Sequence, residues 1–507
     1  MLREEDSLGE RERVRYSVDR GRRVRVAEVV VEGAEEIPED EIRSRLLTRR
    51  DSAWSRRHVR PESLRQDAAT IRALYLDRGF LHVRVEEPEV RLSLDGREAA
   101  VAFRLEEDGR FEVREIRVTE GLDVPAETLR EWTGIREGDS FSPARGLRAE
   151  AAIRARLDER GYADARVDLR TRTDGSRGVS LDFDVSPGRR RTIAAVRIEG
   201  NDRTRDRVIL RETTFAPGDP ASRARLLESQ QRLYRLGIFR SVRLDFPPAP
   251  EDGTGVQDVR ISVEEAAPYH ASIGLGYDTE GGAQTTYSFG NDNVQGLDRN
   301  VALQGKYGGV ESRLQLLARE PRFLGRNVDA LFTAFRERRE ETGYNVFTRS
   351  LGFRVERRPR PGWVGHVRYS YQDVTLSNVE DALAALEDKL EDVQLGNVAF
   401  ALVRNTRDDI FAPTRGGLAS AELSLFGPVL LSEETFAKLF LRGAFTKTYP
   451  NEVSLSGGVR LGLAAPLGGT ERVPLSERYF AGGESTLRGF ARDSVGPSVE
   501  GIPSGGE

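Results

Sequence analysis

No cysteine occurs in these 507 residues, which excludes disulfides and thiolate metal sites. Histidine is nearly as scarce. His58, His82, His270 and His366 stand apart and make no ligand-spaced cluster. Lysine appears only at Lys306, Lys389, Lys438 and Lys447, so arginine carries almost all the positive charge. No stretch approaches the ~18 consecutive apolar residues that a transmembrane helix needs. The opening run Met1–Asp6 is charged and has no apolar core of a signal peptide. Charge of one sign is not in excess either: the net charge is −5 with both signs interspersed, and no basic face points to nucleic acid. With 32% of the residues charged, the composition reads as soluble. That test misses transmembrane β-barrels, in which only alternate residues face lipid.

What the chain does have is length and repetition. It is too long for one core, so several domains are expected. Arg23–Gly33, Phe111–Gly121 and Arg190–Gly200 each alternate apolar and polar residues and end at glycine, as a half-buried strand with a turn does. A second mark recurs downstream in Tyr75–Phe80, Leu157–Tyr162 and Leu233–Ile238. Each closes an amphipathic helix, with Gly79, Gly161 and Gly237 where a left-handed cap is wanted. The repeat is about eighty residues, long for a solenoid, so the units are small domains in tandem. In the middle unit the order is strand 112–118, helix 125–132, helix 143–160, strand 161–169 and strand 177–186. Leu147, Ala151, Ile153 and Leu157 are expected on the buried face of the long helix.

This βααββ unit, with a glycine–aromatic step after its second helix, resembles the POTRA domain. The third copy departs from it with Ile238 in place of the aromatic. The resemblance implies POTRA domains at 22–108, 109–189 and 190–267. Val14–Gly21 also runs into the first unit as Leu181–Gly188 runs into the third. Residues 1–21 are therefore expected to be the remnant of a preceding POTRA, and the N-terminus to be cut.

From Tyr269 the period changes to two and stays there. In Val453–Leu463, valine, leucine and glycine alternate with Ser454, Ser456, Gly458, Arg460 and Gly462. Eleven strands are predicted at 269–278, 283–290, 299–308, 311–319, 327–336, 344–357, 363–373, 397–406, 417–426, 435–448 and 452–464, each near the ~10 residues that cross a bilayer when tilted. With the first strand rising, turns such as Pro321–Gly325 and Arg407–Gly416 fall on one side and longer loops on the other, among them a helical stretch at Val379–Leu390. That asymmetry suits an outer-membrane barrel.

After the last strand comes Arg478–Phe490, with glycines at 482 and 483, then Leu487, Arg488, Gly489 and Phe490. By composition this is either a Gly-rich surface turn or a long loop packed against something. The string resembles the arginine–glycine–aromatic loop of the BamA-like outer-membrane insertase superfamily, which tucks into a barrel lumen. The segments Glu320–Gly325, Thr406–Asp409 and Pro413–Gly416 also resemble turns of that family.

The resemblance implies an α+β array of POTRA domains followed by an antiparallel transmembrane β-barrel over 268–507. The family loop follows the eleventh of sixteen strands, so the barrel is expected to be incomplete. It implies that Arg488 locks the loop against an acidic partner on a later strand, with Gly489 allowing close approach and Phe490 packing on the wall. It also implies a seam strand bearing Tyr269, Ile273, Gly274, Gly276 and Tyr277. The two glycines either weaken a seam that opens or avoid crowding inside.

The implied function is folding and inserting β-barrel proteins into the bacterial outer membrane, with the POTRA domains in the periplasm. The alternative is a TamA-like assembly factor or a two-partner secretion translocator. The expected partners are unfolded outer-membrane clients, periplasmic chaperones, accessory lipoproteins and outer-membrane lipid. No catalytic constellation stands in the chain, and no metal or cofactor is expected.

Overall fold

The computed structural model describes residues 2–4, 13–15, 24–48, 58–119, 123–173, 177–248, 255–279, 282–381, 393–449, 453–483, 486–499 and 502–506. The chain divides into two compact units. One comprises 1–194, 217–224 and 249–257; the other comprises 195–216, 225–248 and 258–507.

The first unit opens with β1 (Leu2–Glu4) and β2 (Arg13–Arg15), an antiparallel pair. The rest of 1–21, expected to be a domain remnant, lies outside the described residues. An α+β domain follows, with β3 (Arg25–Glu32), α1 (Glu39–Arg45), α2 (Pro61–Asp77), β4 (Arg84–Val85), β5 (Glu89–Leu92) and β6 (Glu98–Glu106). β6 is central, parallel to β3 and antiparallel to β4 and β5. Proline in the first turn of α2 costs no hydrogen bond. The helix buries Leu64, Ile71, Leu74 and Tyr75. It ends just before Gly79, whose φ of 100° a β-carbon would oppose.

The second domain repeats the plan with β7 (Glu112–Val118), α3 (Ala126–Thr133), α4 (Pro143–Glu159), β8 (Arg166–Thr173) and β9 (Gly178–Ser186). Its strand order is β7-β9-β8. The face of α4 differs from expectation. Gly146, Ala149, Ile153 and Leu157 are buried, whereas Leu147 and Ala151 are exposed. The reason is angular: steps of three and four residues keep one stripe inward, and Leu147 and Ala151 fall on the neighbouring stripe. Ile153 and Leu157 are fully buried, worth roughly 1.5–3 kcal/mol each.

The third domain comprises β10 (Thr192–Glu199), α5 (Asp206–Leu210), α6 (Arg223–Tyr234), β11 (Phe239–Asp245) and β12 (Val256–Glu265). β12 is the central strand. Ile238, the departure from the aromatic pattern, is as buried as Tyr162 in the second domain.

The remainder is one eleven-stranded antiparallel sheet in sequence order. Its strands are β13 (Tyr269–Asp278), β14 (Gly282–Val294), β15 (Arg299–Gly308), β16 (Glu311–Glu320), β17 (Asp329–Glu341), β18 (Tyr344–Arg357), β19 (Trp363–Ser377), β20 (Val393–Asn405), β21 (Arg415–Phe426), β22 (Phe436–Thr448) and β23 (Ser454–Pro466). The short pair β24 (Ser498–Val499) and β25 (Ile502–Pro503) ends the described chain. The sheet is not closed: β13 and β23 are its two ends. Most of the expected helical stretch 379–390 lies outside the described residues.

Registers are continuous from strand to strand apart from one irregularity between Asn291 and Val294 where β14 meets β15, so period two sorts the side chains onto two faces. One face exposes Ile273, Phe289, Leu316, Phe400, Val459 and Leu461, an apolar surface without cover. The other carries polar residues such as Ser370, Asn397 and Ser424 and ion pairs such as Arg368–Glu422 at 2.9 Å. That is the inverse of a soluble sandwich and the pattern of a sheet solvated by lipid on its outside. No described helix is long and apolar enough to cross a membrane.

Candidate functional site

Two places stand out within the sheet-bearing unit: the edge strand β13 and the loop after β23. β13 pairs with β14 from Tyr269↔Asn291 to Asp278↔Gly282 and has no other neighbour among the described residues. Its second row of backbone donors and acceptors is therefore free to take another strand. Tyr269, Ile273 and Tyr277 share the apolar face with Leu275, and Ile273 and Leu275 are 77% and 84% exposed. Gly274 and Gly276 fall on the opposite face, in ordinary extended backbone. A β-carbon at Gly274 would stand 2.7 Å from the Thr286 hydroxyl, and one at Gly276 would stand 3.3 Å from the Gln284 side chain. Both glycines thus make room for inward side chains of β14. The same missing side chains leave β13 with less to hold it in place.

The loop is anchored on the inner face. Val473 and Leu475 are buried with Phe426, Phe436 and Ala464, and Tyr479 and Phe480 pack against that cluster. Lys438 on β22 meets Glu477 at 2.8 Å, with its ammonium over the Tyr479 ring. Arg478 is buried and donates to the carbonyls of Val473 and Ser504 at 2.8 and 3.1 Å.

The expected motif residues are placed otherwise. Leu487, Arg488, Gly489 and Phe490 are all exposed, and Phe490 is 55% exposed instead of packed on the wall. The contact between loop and wall is made further along, where Arg492 donates to Glu341 of β17 at 2.8 Å. Sequence reasoning missed this pair. Arg492 is one more arginine in an arginine-rich chain, and Glu341 ends a run, Arg336–Glu341, charged on both faces, so periodicity does not single it out. Among the described residues no group of three or more histidine or carboxylate side chains is placed to hold a metal.

Comparison with known proteins agrees with this geometry. The POTRA family model, a surface antigen variable number repeat, matches 24–108, 111–188 and 191–266. The Omp85 superfamily domain matches 293–507. The chain belongs to the BamA-like superfamily. It is similar to the outer membrane protein assembly factor BamA of Neisseria meningitidis, 21% identical over 95% of this chain and 63% of the relative. It is also similar to BamA of Nitratidesulfovibrio vulgaris, 25% identical over 95% of this chain and 61% of the relative. The chain thus spans under two thirds of the length of these relatives. The crystal structure of BamA from Haemophilus ducreyi lacking POTRA domains 1–3 shares the fold, with a TM-score of 0.65, 22% identity and 77% coverage of each chain. The sheet is an outer-membrane sheet, and the POTRA domains lie in the periplasm.

In this frame the turns at the periplasmic rim gain meaning, because the third POTRA domain is tied to them. Arg211 donates to Asp298 in the β14–β15 turn at 2.6 Å. Arg322 in the β16–β17 turn donates to Glu212 through Nε at 3.2 Å and Nη2 at 3.0 Å. Asn293 donates to Thr204 at 2.8 Å, and Arg205 N–H to the Gly296 carbonyl at 3.0 Å. Asp298 has a side chain only 3% exposed. Burial pushes its carboxyl up to about 6, against the pull of Arg211 and Arg319 and with the push of Glu212 and Asp329.

Proposed function

We propose that this chain folds β-barrel proteins and inserts them into the outer membrane, and that β13 templates the first incoming strand. The observation that carries the reading is β13, which pairs with β14 alone among the described residues and exposes Ile273 and Leu275 on its apolar face. A strand entering a bilayer must have its backbone groups satisfied, and an edge already at membrane depth offers partners in register. The seam role is assigned to Tyr269, Ile273, Gly274, Gly276 and Tyr277. The POTRA sheets receive unfolded clients by strand addition, β8 of the second domain being one available edge. Periplasmic chaperones and accessory lipoproteins deliver and assist by the same kind of contact. Leu487, Arg488, Gly489 and Phe490 form the loop tip that acts on barrel conformation. No chemical step is assigned to any residue.

The test is depletion of the protein in its own host. Folded β-barrel proteins in the outer membrane should fall while their unfolded forms accumulate in the periplasm. Unchanged levels of folded outer-membrane proteins would overturn the reading.

A further inference from the structure

The ion pair between Arg492 and Glu341 joins the loop after β23 to the inner face of β17. Glu341 is 12% exposed and Arg492 29%, so water screens the pair only in part. The second oxygen of Glu341 forms an ion pair with Arg339, whose Nε lies 2.9 Å away, and Arg492 Nε lies 3.5 Å from Asp493. Charges alternate through the cluster, which borders a cavity of about 670 Å3 shared by Lys306, Arg313, Glu337 and Tyr344.

A separate feature aims Arg492 at this place. Gly482 and Gly483 have φ of 123° and 82°. A β-carbon on Gly482 would lie 2.2 Å from the Ala491 carbonyl oxygen. The two arms of the loop are closed by Gly483 N–H to Phe490 O at 3.0 Å and Val495 N–H to Ala481 O at 2.9 Å. The glycine pair is thus a close-packed clasp that fixes the segment bearing Arg492.

We infer that Arg492 and Glu341 form a latch that holds the loop to the fifth strand of the sheet, and that this positioning pair sets the barrel conformation on which client insertion depends. The inference rests on the assembly reading above and assigns regulation to the loop. It is distinct from the role given to Arg488, which stands exposed. Removing one member of a half-buried pair disturbs it more than replacing both together.

The test uses the full-length protein in its host, with the native copy depleted, and the same protein purified in detergent. Arg488 is exposed next to the latch and serves as a trypsin reporter of loop mobility. Arg492→Glu should speed cleavage after Arg488 severalfold and lower client assembly severalfold. Glu341→Gln, of nearly equal volume, should do the same to a smaller extent. Arg492→Lys should restore most of both readouts. Glu341→Arg should restore part of the loss in Arg492→Glu, limited by its new neighbour Arg339. Wild-type cleavage and assembly in Arg492→Glu would overturn the latch, as would a loss that Glu341→Arg does not relieve at all. If depletion of the protein leaves client assembly unchanged, the functional reading fails, and the trypsin arm still decides whether the latch exists.

Discussion

Arg211 donates to Asp298 across 2.6 Å, joining the residue just past α5 to a periplasmic turn of the sheet. The aspartate is buried and its carboxyl sits near 6 instead of 3.8. The native state therefore binds more protons than the unfolded state between those values. Stability contributed by the neutral carboxyl is present below about 3.8 and is lost as pH rises through about 6. The expected span is about 3 kcal/mol for this one group. Hydrogen exchange of the turn around Asn293–Arg299 should be slower at pH 5 than at pH 7.5, after correction for intrinsic rates. Asp298→Asn should flatten that dependence and destabilise the joint at pH 7.5, since Arg211 then keeps only Glu212, at 3.4 Å, as an acidic partner. An Asn variant that keeps the full pH dependence would assign it to other groups.

A second joint lies within the POTRA array. Asp158, in the last turn of α4, accepts the Ser222 hydroxyl at 2.5 Å and the N–H groups of Arg223 and Ala224 at 2.8 and 3.0 Å. It caps the start of α6 from a different domain. The corresponding contact one domain earlier is weaker, with Ser142 donating to Asp77 at 3.4 Å. Asp158→Ala should cost about 1–2 kcal/mol, as the loss of a helix cap does. Amide protection at Arg223 and Ala224 should drop by roughly five- to thirty-fold. Asp77→Ala should leave protection around Ser142 nearly unchanged. Equal losses in the two variants would show that the joints are alike.

The lipid face of β23 gives a third prediction. Val459 lies mid-strand and is 68% exposed on the apolar face, whereas Ser456 faces inward and donates to Thr446 at 3.1 Å. Val459→Arg should destabilise the membrane-inserted protein by about 2–4 kcal/mol. Ser456→Arg should cost far less, because its side chain meets polar surroundings. Urea titration of the two variants in liposomes separates these outcomes. A larger loss from Ser456→Arg would mean that the faces are inverted, and equal losses would mean that neither position faces lipid alone.

Local rules made much of the fold legible. The strands read at 269–278, 299–308 and 344–357 are those the structure builds, because a period of two with turn residues between leaves little freedom. The helix-capping glycines at 79, 161 and 237 all take positive φ, as the repeat suggested. What was not legible depends on distance along the chain. Leu147 and Ala151 were misplaced because two neighbouring stripes of this helix carry apolar residues, and only the sheet beneath it decides which one is buried. Arg492–Glu341 and Arg211–Asp298 join residues 151 and 87 apart, and no local pattern marks either pair. The motif drew attention to Arg488 and Phe490, while the contacts that seat the loop come from Arg478, Tyr479 and Arg492 beside it.

The central claim is that β13 templates a client strand, and a disulfide scan tests it most directly. The chain has no cysteine to interfere. Single cysteines at His270 and Ser272 of β13 would be paired with cysteines along the terminal strand of a client stalled during assembly. Strand pairing fixes register, so moving the cysteine from 270 to 272 should move the best client partner by the same step. That ladder, formed on the free edge of β13, is the predicted result. Crosslinks that form without register, or that spare β13 while the stalled client is captured elsewhere on the sheet, would contradict it.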